Sequence, residues 1–175
     1  MNIFGQKILL RAMETEDAVL LRTMINDGDM EYLLGGWSFP VSQMQQRQWM
    51  EQATARADQF RAMIEADGKT VGTVMLTDLD YKNGTAQIHI KLCRGCRGQG
   101  YGTDALRTGT EYAFRELRLH CVYAQISQHN VVSQKLFEKC GYRQEGVLRD
   151  RLFKRGAYVS VLVFSAVSRP DGTYD

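Results

Sequence analysis

Across 175 residues this sequence has almost no net charge: 22 basic and 20 acidic side chains leave +2. A dedicated nucleic-acid binder carries a marked basic excess, so that class of partner is set aside. No apolar run approaches the roughly 18 residues that a membrane helix needs, and the first residues lack a signal-peptide pattern. No membrane partner and a cytoplasmic location are therefore expected. Repeats, low-complexity segments and linkers are missing as well, which points to one domain over residues 1–175 with a proper core. Cysteine is scarce, at positions 93, 96, 121 and 140. That usage is consistent with reduced thiols. Cys93 and Cys96 have the spacing of half a zinc site, but Cys121 and Cys140 lie 19 residues apart and form no second short pair. No metal is expected.

What is present concentrates in Ala86–Thr103. The first half alternates, with Ala86, Ile88, Ile90 and Leu92 on one face and Gln87, His89 and Lys91 on the other. That is a strand with one face in the core and a polar face toward something else. The second half is a glycine-rich basic loop, Arg97-Gly98-Gln99-Gly100-Tyr101-Gly102, running into a helical pattern near Thr103. Glycines let backbone N–H groups point inward, and a helix N-terminus adds positive potential, so strand, loop and helix form an anion site. Arg94 and Arg97 add two formal charges. The Gly-x4-Gly-Lys-Ser/Thr phosphate loop does not occur, and Gly98, Gly100 and Gly102 miss the Gly-x-Gly-x-x-Gly spacing of the dinucleotide fingerprint.

Elsewhere the pattern predicts a first strand at 7–13 and a helix capped by Thr15 with Val19, Leu20, Met24 and Ile25 on its apolar stripe. Residues 30–41 are aromatic and glycine-punctuated without a period. They read either as a substrate-facing loop or as a plug in which Trp37 and Phe39 seal the core edge. Ser42 caps a polar helix to about Ala57. Strands at 59–65 and 69–81 are joined by Asp67-Gly68, and Asn83-Gly84 leads into the strand at 86–92. A helix to about Leu117, a strand at 121–126, a helix from Asn130 to Gly141 and a closing strand pair at 142–150 and 157–167 complete the order. The fold class is α/β (α+β), a mixed, largely antiparallel sheet of about seven strands with helices on both faces.

Over almost its whole length the chain resembles the GNAT acyl-CoA N-acetyltransferase family. The matching residues are the strand ending at Leu92, the loop Arg97–Gly102, and Asn130, Ser133, Leu136, Phe137, Glu138, Lys139, Gly141 and Tyr142. Glu145-Gly146 and Leu148-Arg149 look like the RimJ/RimL-like and spermidine acetyltransferase branch. The resemblance implies a GNAT fold in which a parallel pair of strands splays apart after Leu92 and acetyl-CoA, the co-substrate, wedges into the gap. Backbone groups of Ile90, Lys91 and Leu92 would bond the pantetheine arm, joined by Asn130. Amides of Gly98, Gln99, Gly100, Tyr101, Gly102 and Thr103 would hold the pyrophosphate beside Arg97, and the helix carrying Ser133 and Phe137 would flank the thiol.

Acetyl transfer needs a neutral amine, a polarised thioester carbonyl and a proton for the departing thiolate. A strand amide near Ile90 or Lys91 would polarise the carbonyl. The family's thiolate-protonating tyrosine falls at Phe137, so Ser133 is read either as its replacement or as a hydroxyl that only bonds the cofactor arm, with Tyr142 as runner-up acid. The family's strand glutamate falls at Gln87. His89, on the same face and with an intrinsic pKa near neutrality, is the candidate base; the alternatives are a structural histidine and proton transfer through water. His120 and His129 are expected at solvated element ends. The acceptor is a protein N-terminus, a polyamine or another small amine; Glu31, Asp78 and Asp80 are the acids available to a polyamine. A rival reading is a CoA-binding module without turnover. The oligomeric state stays open, a homodimer included.

Overall fold

The computed structural model describes residues 1–35, 39–55, 58–170 and 172–175. In chain order its strands are β1 (Ile3–Phe4), β2 (Leu9–Arg11), β3 (Phe60–Ala66), β4 (Lys69–Asp80), β5 (Thr85–Leu92), β6 (Cys121–Ser127), β7 (Arg143–Lys154) and β8 (Ala157–Val167). The helices are α1 (Ala18–Ile25), α2 (Gly28–Leu33) and α3 (Gln43–Thr54) between β2 and β3, α4 (Tyr101–Arg115) after β5, and α5 (Val131–Lys139) after β6. The strands make one sheet in the order β1-β2-β3-β4-β5-β6-β8-β7, antiparallel except at β5–β6. The mixed sheet is as expected; the eighth strand, two-residue β1, is too short to leave a pattern in the sequence.

Even-numbered residues of β5 face the core under α4. Ala86 and Ile88 are buried with Ala105 and Leu106 of that helix, and a Cβ at Gly109 would sit 3.3 Å from Val74 and 3.5 Å from Ile88. The odd face looks the other way, toward α1 and α3. Asp67-Gly68 makes the expected hairpin turn, both residues at positive φ (50° and 71°). On the far side, Arg11 ties four segments together. Its guanidinium bonds Asp17 at 2.8 and 2.9 Å, Glu65 at 2.8 Å and Thr70 at 2.6 Å, and Asp17 is 4% exposed.

Several boundaries differ from the sequence reading: the first strand, expected at 7–13, is Leu9–Arg11, and the strand expected at 142–150 runs on to Lys154. Thr15 does not cap α1 directly: Thr15–Asp17 form a 3-10 turn, and the Asp17 carboxylate accepts the Glu14 N–H at 2.9 Å. α4 starts two residues before Thr103, because Gly100 takes the cap position at φ 88°. The start of the stretch 30–41, read as a substrate-facing loop or a core plug, belongs to the short helix α2, whose Asp27 cap accepts the N–H groups of Asp29 and Met30. With one buried apolar residue, Met30, so short a helix shows no period. Trp37 and the expected helix end at Ala57 lie outside the described residues, and Phe39 is exposed.

Candidate active site

The parallel pairing of β5 with β6 lasts only three residue pairs, ending at Gln87–Tyr123. Beyond it β5 stays with β4 as far as Leu92–Gly72, while β6 stays with β8 as far as Ser127–Val161. A wedge-shaped gap opens between them. It begins after Gln87, five residues earlier than the expected opening after Leu92. On the other side of Gln87, β4 bulges between Thr77 and Asp80, with Asp78 at φ 51°, and a bulge bends its strand and increases the local twist.

The phase of the ladder decides which amides face the gap. The Cys93 N–H donates to the Val71 carbonyl at 2.9 Å. Antiparallel alternation then turns the odd-numbered peptide groups of β5 toward β4 and those of Ile88, Ile90 and Leu92 toward the gap. This corrects the expectation for Lys91: its backbone is spent on β4, and a Cβ at Gly72 would sit 2.1 Å from its carbonyl oxygen. Of the two amides expected to polarise the thioester, only that of Ile90 faces the gap.

A cleft of about 80 Å³ fills the gap. Its walls are His89, Ile90 and Lys91 of β5, residues 124–127 of β6, Asn130, Ser133 and Phe137 of α5, and residues 33–35 after α2. Asn130 caps α5, its Oδ1 accepting the Ser133 N–H at 3.2 Å, and its Nδ2 donates to the Leu33 carbonyl at 3.3 Å. The Ser133 hydroxyl has no partner among the described residues. Phe137 is buried and meets the Tyr142 ring edge-on, centroids 4.9 Å apart. Tyr142 lies beyond it, outside the cleft lining. Its hydroxyl bonds Thr110 at 2.7 Å, and burial pushes its pKa further up. That removes Tyr142 as the acid and leaves Ser133 facing the cleft.

At the open end of β5 lies the glycine loop. Gly98 and Gly100 take φ of 79° and 88°, a conformation open to glycine at little cost. Among the described residues nothing accepts the N–H groups of Gly98, Gln99, Gly100, Tyr101, Gly102 or Thr103. The last three are the first-turn amides of α4, which no helix can satisfy internally. Six open donors at a positive helix end fit a diphosphate. Arg97 stands beside them, exposed. Arg94 does not: it pairs with Asp27 at 3.0 Å and Asp29 at 2.9 Å, so the expected second charge belongs to α2. Lys7 takes its place, its Nζ 3.3 Å from where a Gly100 Cβ would be. Asp104 holds that segment down by accepting the N–H groups of Gln6, Lys7 and Ile8. No local pattern marks Lys7, which the fold alone brings to the loop. Cys93 and Cys96, whose redox state the sequence leaves open although its cysteine usage is consistent with reduced thiols, are joined in a disulfide across the 3-10 turn Arg94–Cys96, with Cα atoms 5.4 Å apart. No metal-binding cluster occurs among the described residues.

His89 is half-buried, and its Nε2 shares a 2.8 Å hydrogen bond with the Thr77 hydroxyl. Burial, then the charge of Lys91, pushes its pKa down to about 4. The expected near-neutral pKa is therefore corrected, and the imidazole is uncharged at pH 7. His129 is not simply solvated, since its Nδ1 bonds the Tyr32 hydroxyl at 2.7 Å.

On the odd face of the sheet a second cavity, of about 350 Å³, runs beneath α1 and α3. Lys91 lines both cavities. The acids available to a polyamine are not in its lining: Glu31 pairs with Lys154, Asp80 caps the turn at Lys82 and Asn83, and Asp78 sits at the bulge.

The family model described as "Acetyltransferase (GNAT) domain" matches residues 7–143. The SPbeta prophage-derived uncharacterized N-acetyltransferase YokL of Bacillus subtilis (strain 168) is 30% identical over 161 residues, covering 91% of this chain and 89% of its own. Among solved structures, a spermidine N-acetyltransferase from Vibrio cholerae, in complex with CoA and spermine, superposes with TM-score 0.87 at 21% identity, over 93% of this chain and 96% of that one. RimL, a ribosomal L7/L12 alpha-N-protein acetyltransferase in complex with CoA, superposes with TM-score 0.85 at 16% identity, over 95% and 98%.

Proposed function

The chain belongs to the GNAT acetyltransferase family, and from that premise we propose how its residues divide the work of acetylating a primary amine. Acetyl-CoA, the co-substrate, supplies the acetyl group as a thioester and departs as the thiol. Amides of Gly98 to Thr103 hold the diphosphate, with Arg97 and Lys7 adding charge. The gap-facing peptide groups of Ile90 and Leu92 bond the pantetheine arm as a further strand does, with Asn130 at its side. The Ile90 N–H points at the thioester carbonyl and stabilises negative charge there. Phe137 backs the thiol and keeps water from it.

Transfer forms a C–N bond, breaks a C–S bond and moves two protons. Ser133, whose hydroxyl is uncommitted and lines the cleft, passes one to the departing sulfur and regains a proton from solvent. The amine gives up the other to His89 or to water. With a pKa of about 4, His89 is always in its accepting form at neutral pH but holds a proton only briefly. Among the described residues no cysteine lines the cleft, which supports direct attack by the amine in a ternary complex rather than an acyl-enzyme. The acceptor is the amine of a small molecule or a peptide.

One observation carries this reading: a row of unsatisfied amides lies at the mouth of a gap between two strands that have stopped pairing. Thiol release from acetyl-CoA across a panel of primary amines, alongside calorimetric titration with CoA, tests it. Release with at least one amine is expected. Binding of CoA without release for any amine at any pH leaves a CoA-binding module instead.

A further inference from the structure

The cavity beneath α1 and α3 says more about the acceptor than the cleft does. Its floor is the odd face of the sheet, and the ladder fixes a grid there. Met63, Thr73 and Lys91 lie side by side on β3, β4 and β5, and Arg61, Met75 and His89 form the next row. The roof adds Leu21, Met24 and Trp49. Most of this lining is aliphatic or thioether, and among the described residues none that lines it is acidic. The two charged residues in it, Arg61 and Lys91, are both cations. Arg61 donates to the Met75 sulfur at 2.8 Å and lies 5.2 Å from the Trp49 ring centroid.

Three polar groups in this lining have no hydrogen-bond partner among the described residues: the Lys91 ammonium, the Thr73 hydroxyl beside it and the Gln46 amide. Gln46 is 5% exposed and Thr73 7%. None of the three is sealed inside the core, so each is free to meet a ligand in the cavity it lines. Lys91 also stands where the cavity meets the cleft, one row from His89.

Resting on the acetyltransferase reading above, we propose that the acceptor is a free apolar α-amino acid: its carboxylate pairs with Lys91 and Thr73, its aliphatic or aromatic side chain fills the methionine-lined cavity, and its amine turns toward the cleft. In an α-amino acid the amine and carboxylate share one carbon, so an anion fixed at Lys91 delivers the amine to the neighbouring row, where the thioester carbonyl meets Ile90. A polyamine meets two cations and no carboxylate here, and an ammonium desolvated beside them is disfavoured. Burial and the nearby Arg61 charge lower the Lys91 pKa, a stress that a bound carboxylate relieves.

The test measures kcat/KM by thiol release, with products identified by mass spectrometry, for L-leucine, L-methionine, L-phenylalanine, leucinamide, isopentylamine, spermidine and short peptides with an apolar first residue. Leucine is expected to exceed both leucinamide and isopentylamine by about tenfold or more, the worth of one charge-assisted contact. Lys91→Met is expected to erase that preference through KM for leucine, leaving calorimetric CoA affinity within about twofold. Should that variant not fold, Lys91→Gln serves the same purpose, and the wild-type ratio stands alone as a readout. Spermidine or a peptide outpacing every free amino acid overturns the proposal while leaving acetyl transfer intact. A leucine preference that survives in the Lys91 variant overturns it too. Silence from every amine with CoA still bound overturns the reading beneath it.

Discussion

Replacing Gly100 with alanine isolates the diphosphate cradle from the rest of the site. Gly100 caps α4 at φ 88°, where an L side chain is strained by about 1–2 kcal/mol. The added Cβ would meet the Lys7 Nζ at 3.3 Å, the tip of an exposed flexible chain that can yield, so conformation rather than collision sets the cost. A loop free to relax escapes that cost when empty and bears it when the donors must realign around the anion. Affinity for CoA should therefore fall by about 5- to 30-fold, the equivalent of 1–2 kcal/mol. Any strain the loop retains lowers Tm by about 2–8 °C for a chain of this size. S-acetylpantetheine lacks the diphosphate and never reaches the loop, so its kcat/KM should not change. Calorimetry with CoA and thiol release with both donors provide the assay. Equal losses with the two donors, or no loss with either, refute the reasoning.

Ser133→Ala should cut kcat by about 100-fold or more while CoA affinity moves little, as expected for a proton donor acting in the transition state; equal kcat in variant and parent removes Ser133 as the acid. The depressed His89 pKa has a consequence for stability: the unfolded chain takes up a proton below about pH 6.5 that the folded one refuses until about pH 4. Stability contributed by this site is therefore complete above 6.5, declines through that window by up to about 3 kcal/mol, and is gone below it. Chemical denaturation at pH 7.5 and 4.5 should show this loss in the parent and a smaller one in His89→Gln; equal slopes refute it. Asp17→Asn leaves Arg11 short of its buried counter-charge and should cost about 3 kcal/mol, read as a clear shift in the urea midpoint at unchanged slope. A shift under about 0.5 kcal/mol contradicts that accounting.

Much of this site is written locally. Asn130 to Gly141 announces a capped helix, and Asp67-Gly68 announces a hairpin, because caps and tight turns depend on a few adjacent residues. The glycine loop shows its open amides for the same reason. What escaped the sequence depends on partners far along the chain. Lys7 reaches Gly100 only through the three amides that Asp104 gathers, and Arg94 is drawn from the loop by two aspartates before and within α2. The point where β5 and β6 part lies level with the bulge in β4 at Asp78, a cross-strand match that neither strand shows alone, and no alternation of side chains reveals which peptide groups face the gap. His89 was legible as a polar strand residue. Its low pKa was not, since that comes from burial and from the neighbouring Lys91.

A crystal structure of the protein with CoA tests the central claim most directly. The account predicts diphosphate oxygens within hydrogen-bond distance of the amides of Gly98 to Thr103, and the pantetheine arm bonded to the peptide groups of Ile90 and Leu92 between β5 and β6. Density for the diphosphate elsewhere, or a β5–β6 ladder closed over the gap with CoA lying outside it, would contradict the account.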